Sequence, residues 1–288
     1  MVTTKSAVSA QLVYSGNANI VVQLPDADYL VRCCVRFDSI DKNNKYTLEN
    51  IEYIKDQVRP LLGGCLVSLE PEFLKTDDLL LILRNFVPNC DTDEVIALKM
   101  EDLTRDTDET IKVDHFTKIH STKDHHTIVW EFKPKWLCSS GSDPSLCRNC
   151  THNKLKKRDI PYCYAMAIKD PAKVVSRCFS GQNVPERFLR DLRVYLGSEG
   201  SILVKLAAVQ KRLALEAPQL NRLTSESDVT ADLALLMALR DVSCFIRWEA
   251  NGAISAKIVD VDLKPNSKWR HWATEQSKVD AHCEPVHH

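Results

Sequence analysis

The stretch Asp241-Val-Ser-Cys-Phe-Ile-Arg-Trp-Glu-Ala-Asn-Gly-Ala-Ile-Ser-Ala-Lys-Ile-Val-Asp-Val-Asp262 decides the local fold of the second half of the chain. Two runs rich in β-branched and aromatic residues flank the dipeptide Asn251-Gly252, a combination typical of an antiparallel hairpin. With Asn251 and Gly252 as the two central turn residues, the register places Asp241 opposite Asp262, and Asp260 lies one pleat away. The sequence therefore predicts three carboxylates at the open end of one hairpin.

Three carboxylates held this close repel one another unless a cation or a proton-transfer role compensates. The cluster therefore favours a Mg²⁺ site and a general base. The protein kinase fold has a comparable layout, in which one acid takes the hydroxyl proton and another holds the metal. The alternative is that the acids only cap strand ends in water.

The N-terminal part of the chain predicts a small sheet with one helix. Its helix is expected to begin at the cap residue Thr47 and to end at Pro60, because apolar residues recur there at helical spacing. The predicted strands are Gln11 to Tyr14, Ile20 to Leu24, Tyr29 to Phe37, Val95 to Met100 and Ile111 to Val113.

The C-terminal part predicts a larger, mixed lobe. The β-branched run Thr127 to Phe132 is expected to be a strand that leads into Lys133-Pro134-Lys135, where the proline favours extended backbone. Apolar spacing predicts helices over Glu186 to Leu196, Ile202 to Leu215 and Thr230 to Arg240. We therefore expect a two-lobed α+β fold with lobes at residues 1–115 and 116–288.

Composition excludes several classes of protein. The 38 Lys and Arg residues balance 39 Asp and Glu residues, for a net charge of −1, which argues against a protein that coats long nucleic acid. Apolar runs such as Leu79 to Leu83 are far shorter than the ~20 residues needed to span a membrane. Because Met1 to Ala10 lacks a signal-peptide pattern, we expect the eleven cysteines in a reducing compartment, as thiols or metal ligands.

The positive charge is concentrated in one segment. Between Lys133 and Arg158 the chain has seven Lys and Arg residues and one acid, Asp143. Lys133 and Lys135 share one side of an extended chain. Lys154 to Arg158 is open to two interpretations, a binding surface or a solvated run of charge.

The same segment contains a group of soft ligands. Cys147, Cys150, His152 and Cys163 have a spacing compatible with a zinc site. In the competing interpretation the cysteines are small core residues, and Arg148, His152 and Lys156 form one helical face directed at an anion.

Two weaker sequence patterns supply the remaining candidate binding residues. The turn Gly16-Asn17-Ala18-Asn19 between two strands could cover a phosphate, with Arg32 on the next strand as its cation. If Pro265 opens a helix, Lys264, Lys268 and Trp272 share one face of it. Ordinary hairpins, surface arginines and exposed amphipathic helices have the same patterns.

Several stretches together resemble the inositol-pentakisphosphate 2-kinase family, most closely its short fungal members. Glu131-Phe-Lys133-Pro-Lys135 is similar to the Glu-x-Lys-Pro-Lys signature of that family, and the resemblance covers nearly the whole chain. Further stretches agree in order: Gly16-x-Ala-Asn19, Arg32-Cys-Cys-Val-Arg36, Lys135-Trp-Leu, Cys147-Arg-Asn-Cys-Thr-His-Asn153, Leu239-Arg-Asp-Val-Ser-Cys-Phe-Ile246 and Asp260-Val-Asp-Leu-Lys-Pro265.

The resemblance implies a kinase-related fold that transfers the γ-phosphate of ATP to the 2-hydroxyl of inositol 1,3,4,5,6-pentakisphosphate. Asp241 would be the catalytic base, Lys133 would be a second catalytic residue, and Asp260, with Asp262, would hold Mg²⁺. The nucleotide contacts implied are Gly16, Asn17, Ala18, Asn19, Arg32, Asp114, His115 and Asp260. The contacts implied with the inositol phosphate are Arg36, Lys133, Lys135, Arg148, Lys156, Asp241, Lys264 and Lys268.

Some positions depart from the family pattern. Larger plant and animal members have a zinc site in an insertion that this chain lacks, so Cys147 and its neighbours cannot inherit that metal. Lys268 and Trp272 stand where those members have Arg and Tyr, and Gln182-Asn183 matches an asparagine pair only loosely.

The alternative function is a non-catalytic inositol-phosphate-binding or zinc-dependent interaction module. For either function we expect a monomer that binds neither long nucleic acid nor membrane. The fungal resemblance implies the nucleus as its location, with the cytoplasm as a second one.

Overall fold

The computed structural model describes residues 10–138 and 147–282; the N-terminal stretch Met1 to Ser9 and the acid Asp143 lie outside them. The strands are β1 Gln11–Ser15, β2 Asn19–Gln23, β3 Leu30–Cys34, β4 Glu70–Lys75, β5 Glu94–Met100, β6 Glu109–Lys112, β7 Thr117–Ser121, β8 Thr127–Phe132, β9 Ser243–Glu249 and β10 Ile254–Val259. The α-helices are α1 Ile40–Tyr53, α2 Arg59–Leu62, α3 Thr76–Leu83, α4 Arg148–Leu155, α5 Tyr164–Ala167, α6 Pro171–Cys178, α7 Glu186–Leu196, α8 Ile202–Glu216, α9 Ala231–Leu239 and α10 Trp269–Asp280. A π-helical segment covers Ile54–Val58, and 3₁₀ turns cover Gly63–Cys65, Leu220–Arg222, Glu226–Asp228 and Asn266–Lys268.

The described residues form two compact units. One lies within Met1–Asp56 and Val67–Asp102, and the other lies within Gln57–Leu66 and Leu103–His288. Each unit has one antiparallel sheet together with helices, so the expected two-lobed α+β class is confirmed. None of the helices in the described ranges is both long and apolar enough to cross a membrane.

The first unit is built on the sheet β1-β2-β3-β5-β4. The central strand β3 is buried along its whole length. Ile20 and Val22 of β2 and Val31 of β3 are fully buried in the core of this unit. Helices α1 and α3 supply Ile40 and Leu79 to the same core. Four of the predicted strands of this lobe begin within one residue of strands in this sheet, but the third ends at Cys34 rather than Phe37. The fifth, Ile111 to Val113, was assigned to the wrong sheet, because it overlaps β6 of the second unit.

The predicted start of the first helix is wrong. Helix α1 begins seven residues before Thr47, and its N-cap is Ser39, whose side chain accepts a hydrogen bond from the Lys42 amide. The start of α1 was not predicted because its buried face contains the polar residues Asn43, Thr47 and Asn50, so apolar residues do not recur there at helical spacing. The side chain of Asn43 bonds to the backbone of Phe37 and Ser39, so its burial is compensated.

Pro60 does not end this helical region. It lies in the first turn of α2, where an amide donor would have no helical acceptor. The chain passes from α1 through the π-helical segment into α2 before Gly63 turns it.

The second unit is built on the sheet β10-β9-β8-β7-β6. Strand β8 and helix α7 coincide with the predicted segments, and α8 and α9 begin and end within one residue of theirs. The fully buried rings of Trp130 and Phe132 pack on Tyr164, with ring centroids 5.8 and 4.7 Å away. This aromatic core fixes β8, and the strand carries the Lys133 segment at its end.

The predicted register of the β9–β10 hairpin is wrong by one residue. Ile254 pairs with Trp248, and the backbone of Glu249 bonds to that of Ala253, so the loop has three residues. The loop ends at Gly252, whose φ of 92° is a left-handed conformation that glycine adopts without strain. Asp241 is therefore not opposite Asp262, and Asp262 is buried.

Candidate active site

A cavity of about 370 Å³ in the second unit brings together most of the sequence-predicted cations. Its lining includes eight Lys and Arg side chains and two carboxylates, Asp241 and Glu275, which gives a formal excess of six positive charges. The cations are Lys133, Lys135, Arg148, Lys156, Arg158, Arg240, Lys264 and Lys268. A cavity with this charge is suited to a small ligand with several negative charges.

The segment 133–136, which we call the strap, crosses one wall of the cavity after β8 ends. Lys135 within it has a φ of 57°, a left-handed conformation that is unusual for a residue with a side chain. Asn149 holds the strap from one side, because its amide donates to the carbonyls of Pro134 and Trp136 and accepts from the Trp136 amide. The strained backbone thus persists because neighbouring groups determine it.

Gln210 holds the strap from the other side. Its fully buried side chain donates to the carbonyls of Lys135 and Leu239 and accepts from the amide of Leu137. The same amide group thus joins the strap to the C-terminal end of α9, two residues before Asp241. This role was not predictable from the sequence, because a glutamine in an amphipathic helix is usually a surface residue.

Asp241 lies directly after α9, half-buried, between two lysines. Its carboxylate accepts hydrogen bonds from Lys135 Nζ at 2.6 Å and Lys264 Nζ at 3.2 Å. Burial alone would favour the neutral acid, but the charges of Lys135 and Lys264 outweigh it and lower the pKa of Asp241. The group is therefore an ionised acceptor at neutral pH. Burial also lowers the pKa of Lys135, against the opposing charge of Asp241.

Asp260 lies next to the strap and has its own cation. Its Oδ2 accepts hydrogen bonds from Ser243 Oγ at 3.0 Å and Lys133 Nζ at 3.5 Å. Its backbone, with a φ of 63°, is again left-handed. Asp260 is partly exposed, so a carboxylate oxygen remains available to a hard cation such as Mg²⁺, which usually takes one or two carboxylates and completes its shell with water and phosphate.

The expected gathering of three carboxylates is not found. Within the described ranges, the only group of three metal-ligating side chains consists of cysteines. Asp241, Asp260 and Asp262 follow one another along the chain but have separate surroundings, because the hairpin register differs from the predicted one.

Two arginines that line the cavity stack on Trp136, the last residue of the strap. The guanidinium carbon of Arg148 lies 4.6 Å from the ring centroid of Trp136, and that of Arg240 lies 5.4 Å from it. Nη1 of Arg148 and Nε of Arg240 are buried, and neither has a hydrogen-bond partner within the described ranges. Burial and the neighbouring Arg240 lower the pKa of Arg148. Within the described ranges neither guanidinium forms an ion pair, although Asp241 and Glu275 partly offset the charge of Arg240.

Sequence patterning found Arg148 but missed Arg240 and Trp136 as cavity residues. Arg240 follows the uninterrupted apolar residues of α9, so it appeared to be only the end of a helix. The aromatic platform depends on residues 136, 148 and 240, which are distant in sequence and meet only in the fold.

The helical face predicted from Arg148, His152 and Lys156 is confirmed as cavity lining. Glu275 of α10 accepts from His152 at 3.2 Å and lies 3.3 Å from Lys156. Its contacts with Lys278, His152 and Lys156 lower the pKa of Glu275 to about 2. Lys268 and Trp272 also line this cavity, as their spacing predicted, with Lys268 in a 3₁₀ turn after Pro265.

The three thiols of the proposed zinc group come together without the histidine. Sγ atoms of Cys147 and Cys163 lie 3.6 Å apart, and Cys150 completes a group within 4.8 Å. Its two neighbours and burial raise the pKa of Cys150. None of the ten cysteines in the described ranges is part of a disulfide. His152 is not part of the group, so the predicted ligand set of three thiols and this histidine is wrong.

Asp114 and His115 lie at the same turn before β7. The carboxylate of Asp114 accepts hydrogen bonds from the Phe116 amide and the Tyr162 hydroxyl. His115 lines the cavity, and burial together with Arg158 lowers its pKa. Gln182 and Asn183 follow α6 and are not among the cavity residues.

The remaining predicted residues belong to the first unit. Gly16, Asn17 and Ala18 form the loop between β1 and β2, closed by a 2.9 Å hydrogen bond from the Gly16 amide to the Asn19 carbonyl. Arg32 is buried on β3. The guanidinium of Arg36 stacks on Tyr46 at 4.6 Å, and its buried Nε has no hydrogen-bond partner within the described ranges.

Comparison with known proteins identifies the relatives of the chain. The family model described as inositol-pentakisphosphate 2-kinase matches residues 13–177. The chain is 38% identical over 272 residues to the inositol-pentakisphosphate 2-kinase of Saccharomyces cerevisiae, with 93% of this chain and 95% of the relative covered. It is 39% identical over 282 residues to the protein of that name in Candida glabrata, with 96% and 100% covered. These names favour the kinase function over the non-catalytic alternative.

Proposed function

The chain belongs to the inositol-pentakisphosphate 2-kinase family, and from that premise we propose the following reaction. The protein transfers the γ-phosphate of ATP to the 2-hydroxyl of inositol 1,3,4,5,6-pentakisphosphate, which gives inositol hexakisphosphate and ADP. One observation carries the proposal: an ionised Asp241 lies between two lysines in a cavity with six excess positive charges.

The cations of the cavity would bind the inositol phosphate. One opposite charge at 4 Å contributes about 4 kcal/mol at an effective dielectric constant near 20, before desolvation is subtracted. The buried and unpartnered donors of Arg148 and Arg240 would gain hydrogen bonds from phosphate oxygens. Lys133, Lys135, Lys156, Lys264 and Lys268 are the further cavity contacts in this proposal. Arg36 of the first unit is not among the cavity residues and stays a predicted substrate contact.

Asp241 would accept the proton of the attacking hydroxyl. Phosphoryl transfer depends mainly on positioning and on neutralisation of charge, so a fixed ionised acceptor is appropriate. Lys135 and Lys264 keep Asp241 ionised while it has no substrate. Phosphates of the inositol compete for these lysines, and the carboxylate then becomes a stronger proton acceptor when the substrate is bound.

Asp260 would hold Mg²⁺ on the nucleotide, and the buried Asp262 stays a predicted second ligand. When bound, the ion neutralises charge on the transferring phosphate. In the first unit the loop Gly16–Asn19 and Arg32 would contact the nucleotide phosphates. Asp114 and His115 are the proposed positions near the adenine, with Asp114 acting through the turn that it stabilises.

Two further properties belong to the proposal. We expect a monomer that works in the nucleus, with the cytoplasm as a second location. Size-exclusion chromatography tests the oligomeric state, and microscopy of a fluorescent fusion tests the location, both independently of the reaction.

The test of the reaction is a transfer assay with γ-labelled ATP and purified inositol pentakisphosphate. Asp241→Asn keeps the size of the side chain but removes its charge, so we expect kcat to fall by about 10² to 10⁴-fold. The matched control is Asp232→Asn, because Asp232 is an exposed acid in the first turn of α9. Turnover of Asp241→Asn equal to that of the control would remove Asp241 as the base. Absence of labelled hexakisphosphate with the native chain would refute the reaction itself.

A further inference from the structure

Cys147, Cys150 and Cys163 form a group outside the proposed reaction. Two of them lie at the start of α4, where Cys147 is the N-cap and Cys150 is the third helical residue. Cys163 is buried just before α5 and approaches from another segment of the chain. Three sulfur atoms from two segments therefore converge on one point.

The spacing of the sulfur atoms corresponds to metal ligation. In a tetrahedral zinc site with Zn–S bonds of about 2.3 Å, the sulfur atoms lie about 3.8 Å apart. The Cys147 and Cys163 Sγ atoms are 3.6 Å apart, and all three lie within 4.8 Å of one another. A disulfide requires about 2.05 Å, which is much shorter.

The surroundings of the three thiols bear on how a cation would be bound. Contact with Cys147 and Cys163, together with burial, raises the pKa of Cys150, so metal binding would release its proton. His152, the nearest candidate for a fourth protein ligand by sequence, is instead bonded to Glu275. Cys150 and Cys163 border a second cavity of about 280 Å³, so water can reach a fourth ligand position.

We propose that Cys147, Cys150 and Cys163 bind one zinc ion as three thiolates, with water as the fourth ligand. The ion would fix the start of α4 against the segment that ends at Cys163. Asn149 lies between two of the ligands and holds the strap, and Arg148 lines the basic cavity. The role of the metal in this proposal is structural, and it positions residues of the cavity wall without touching substrate.

The first experiment measures the zinc content of the full chain, purified without chelators, by mass spectrometry. We expect close to one zinc ion per chain. Cys147→Ser and Cys163→Ser should each weaken zinc binding by more than tenfold, since loss of even an outer-shell partner costs about 10 to 100-fold. Cys138→Ser is the matched control, because Cys138 is a half-buried free cysteine outside the group, and it should retain the metal. Asp241→Asn should also retain it, which separates this proposal from the proposed reaction.

A second measurement keeps the test valid if a serine variant does not fold. The native chain is stripped of metal and titrated with Co²⁺, and a strong sulfur-to-cobalt charge-transfer band with intense visible absorption of tetrahedral cobalt is expected. If the titration gives only the weak spectrum of octahedral Co²⁺, the proposal is overturned. A native chain without zinc, or a peptide map with Cys147 and Cys163 joined in a disulfide, would also overturn it.

Discussion

The two walls of the basic cavity hold their cations in different ways. On the strap wall, which consists of Lys133, Lys135 and Lys264 with their acids, each lysine has a carboxylate within 3.5 Å. On the platform wall, which consists of Arg148 and Arg240 on Trp136, the arginines stack on an aromatic ring and have no ion pair in the described ranges. The difference suggests a division of work. In the proposed reaction, Lys135 and Lys264 would keep Asp241 ionised, and the two arginines would bind the phosphates.

The largest expected effect comes from the strap wall. Lys135→Met removes the closest partner of Asp241 and should lower kcat by about 100-fold, within the range for a positioned proton-transfer group. Steady-state kinetics with both substrates measure it. Lys211→Met, at an exposed position of α8, is the control. If the two variants had the same kcat, the strap wall would have no role in the chemical step.

The platform wall should respond through KM instead. Arg148→Met removes hydrogen bonds to a charged ligand, each worth about 1.5–3 kcal/mol, so KM for the inositol phosphate should rise about 10 to 100-fold. Without ligand the variant should be at least as stable as the native chain, because a buried unpaired cation is lost. Arg212→Met, at an exposed position of α8, is the matched control. If Arg148→Met lowered kcat as much as Lys135→Met does, the two walls would not differ in function.

The link between the walls and the core can be tested at Gln210. Gln210→Met keeps a similar volume but leaves three backbone groups without their partner, so the free energy of unfolding should fall by about 2 kcal/mol. Urea unfolding measures the change, with the exposed Gln219→Met as the control. A stability equal to that of the control would show that the strap is held by Asn149 alone.

The smallest expected effect is on pH dependence. Because the pKa of Asp241 is lowered by folding, its ion pairs stabilise the protein above the unfolded pKa near 3.9 and are lost as the pH falls below it. The difference in unfolding free energy between the native chain and Asp241→Asn should therefore be constant from pH 7 to pH 5 and should shrink below about pH 4. A difference that already changes between pH 7 and pH 6 would contradict the lowered pKa.

Much of the fold could be predicted from local patterns. Strand β8 and helix α7 have the predicted bounds, because apolar residues mark their buried faces. The start of helix α1 was not predicted, because its buried face contains the polar residues Asn43, Thr47 and Asn50 rather than apolar ones. The hairpin register failed because Asn251-Gly252 also fits a three-residue loop, and only the backbone geometry distinguishes the two.

The candidate site was predictable where residues adjacent in sequence stay adjacent in space. Lys133, Lys135 and the following segment were visible as a basic cluster near a strand end. Gln210 and Arg240 could not be predicted as site residues. Gln210 bonds to Leu137, which is 73 residues away in sequence, and Arg240 stacks on the ring of Trp136. The proposed division of the chain after residue 115 stays a prediction.

The clamp by Gln210 makes one amide proton a reporter for the whole second unit. The amide of Leu137 donates to the side chain of Gln210 on α8, which also bonds to the last residue of α9, and both Leu137 and Gln210 are buried. Hydrogen exchange at this amide requires the helices to separate, whereas amides on the exposed face of α4 can exchange through local fraying. The exchange rate of Leu137 therefore measures how often the strap is released, and so how often a folded molecule is briefly without its catalytic geometry.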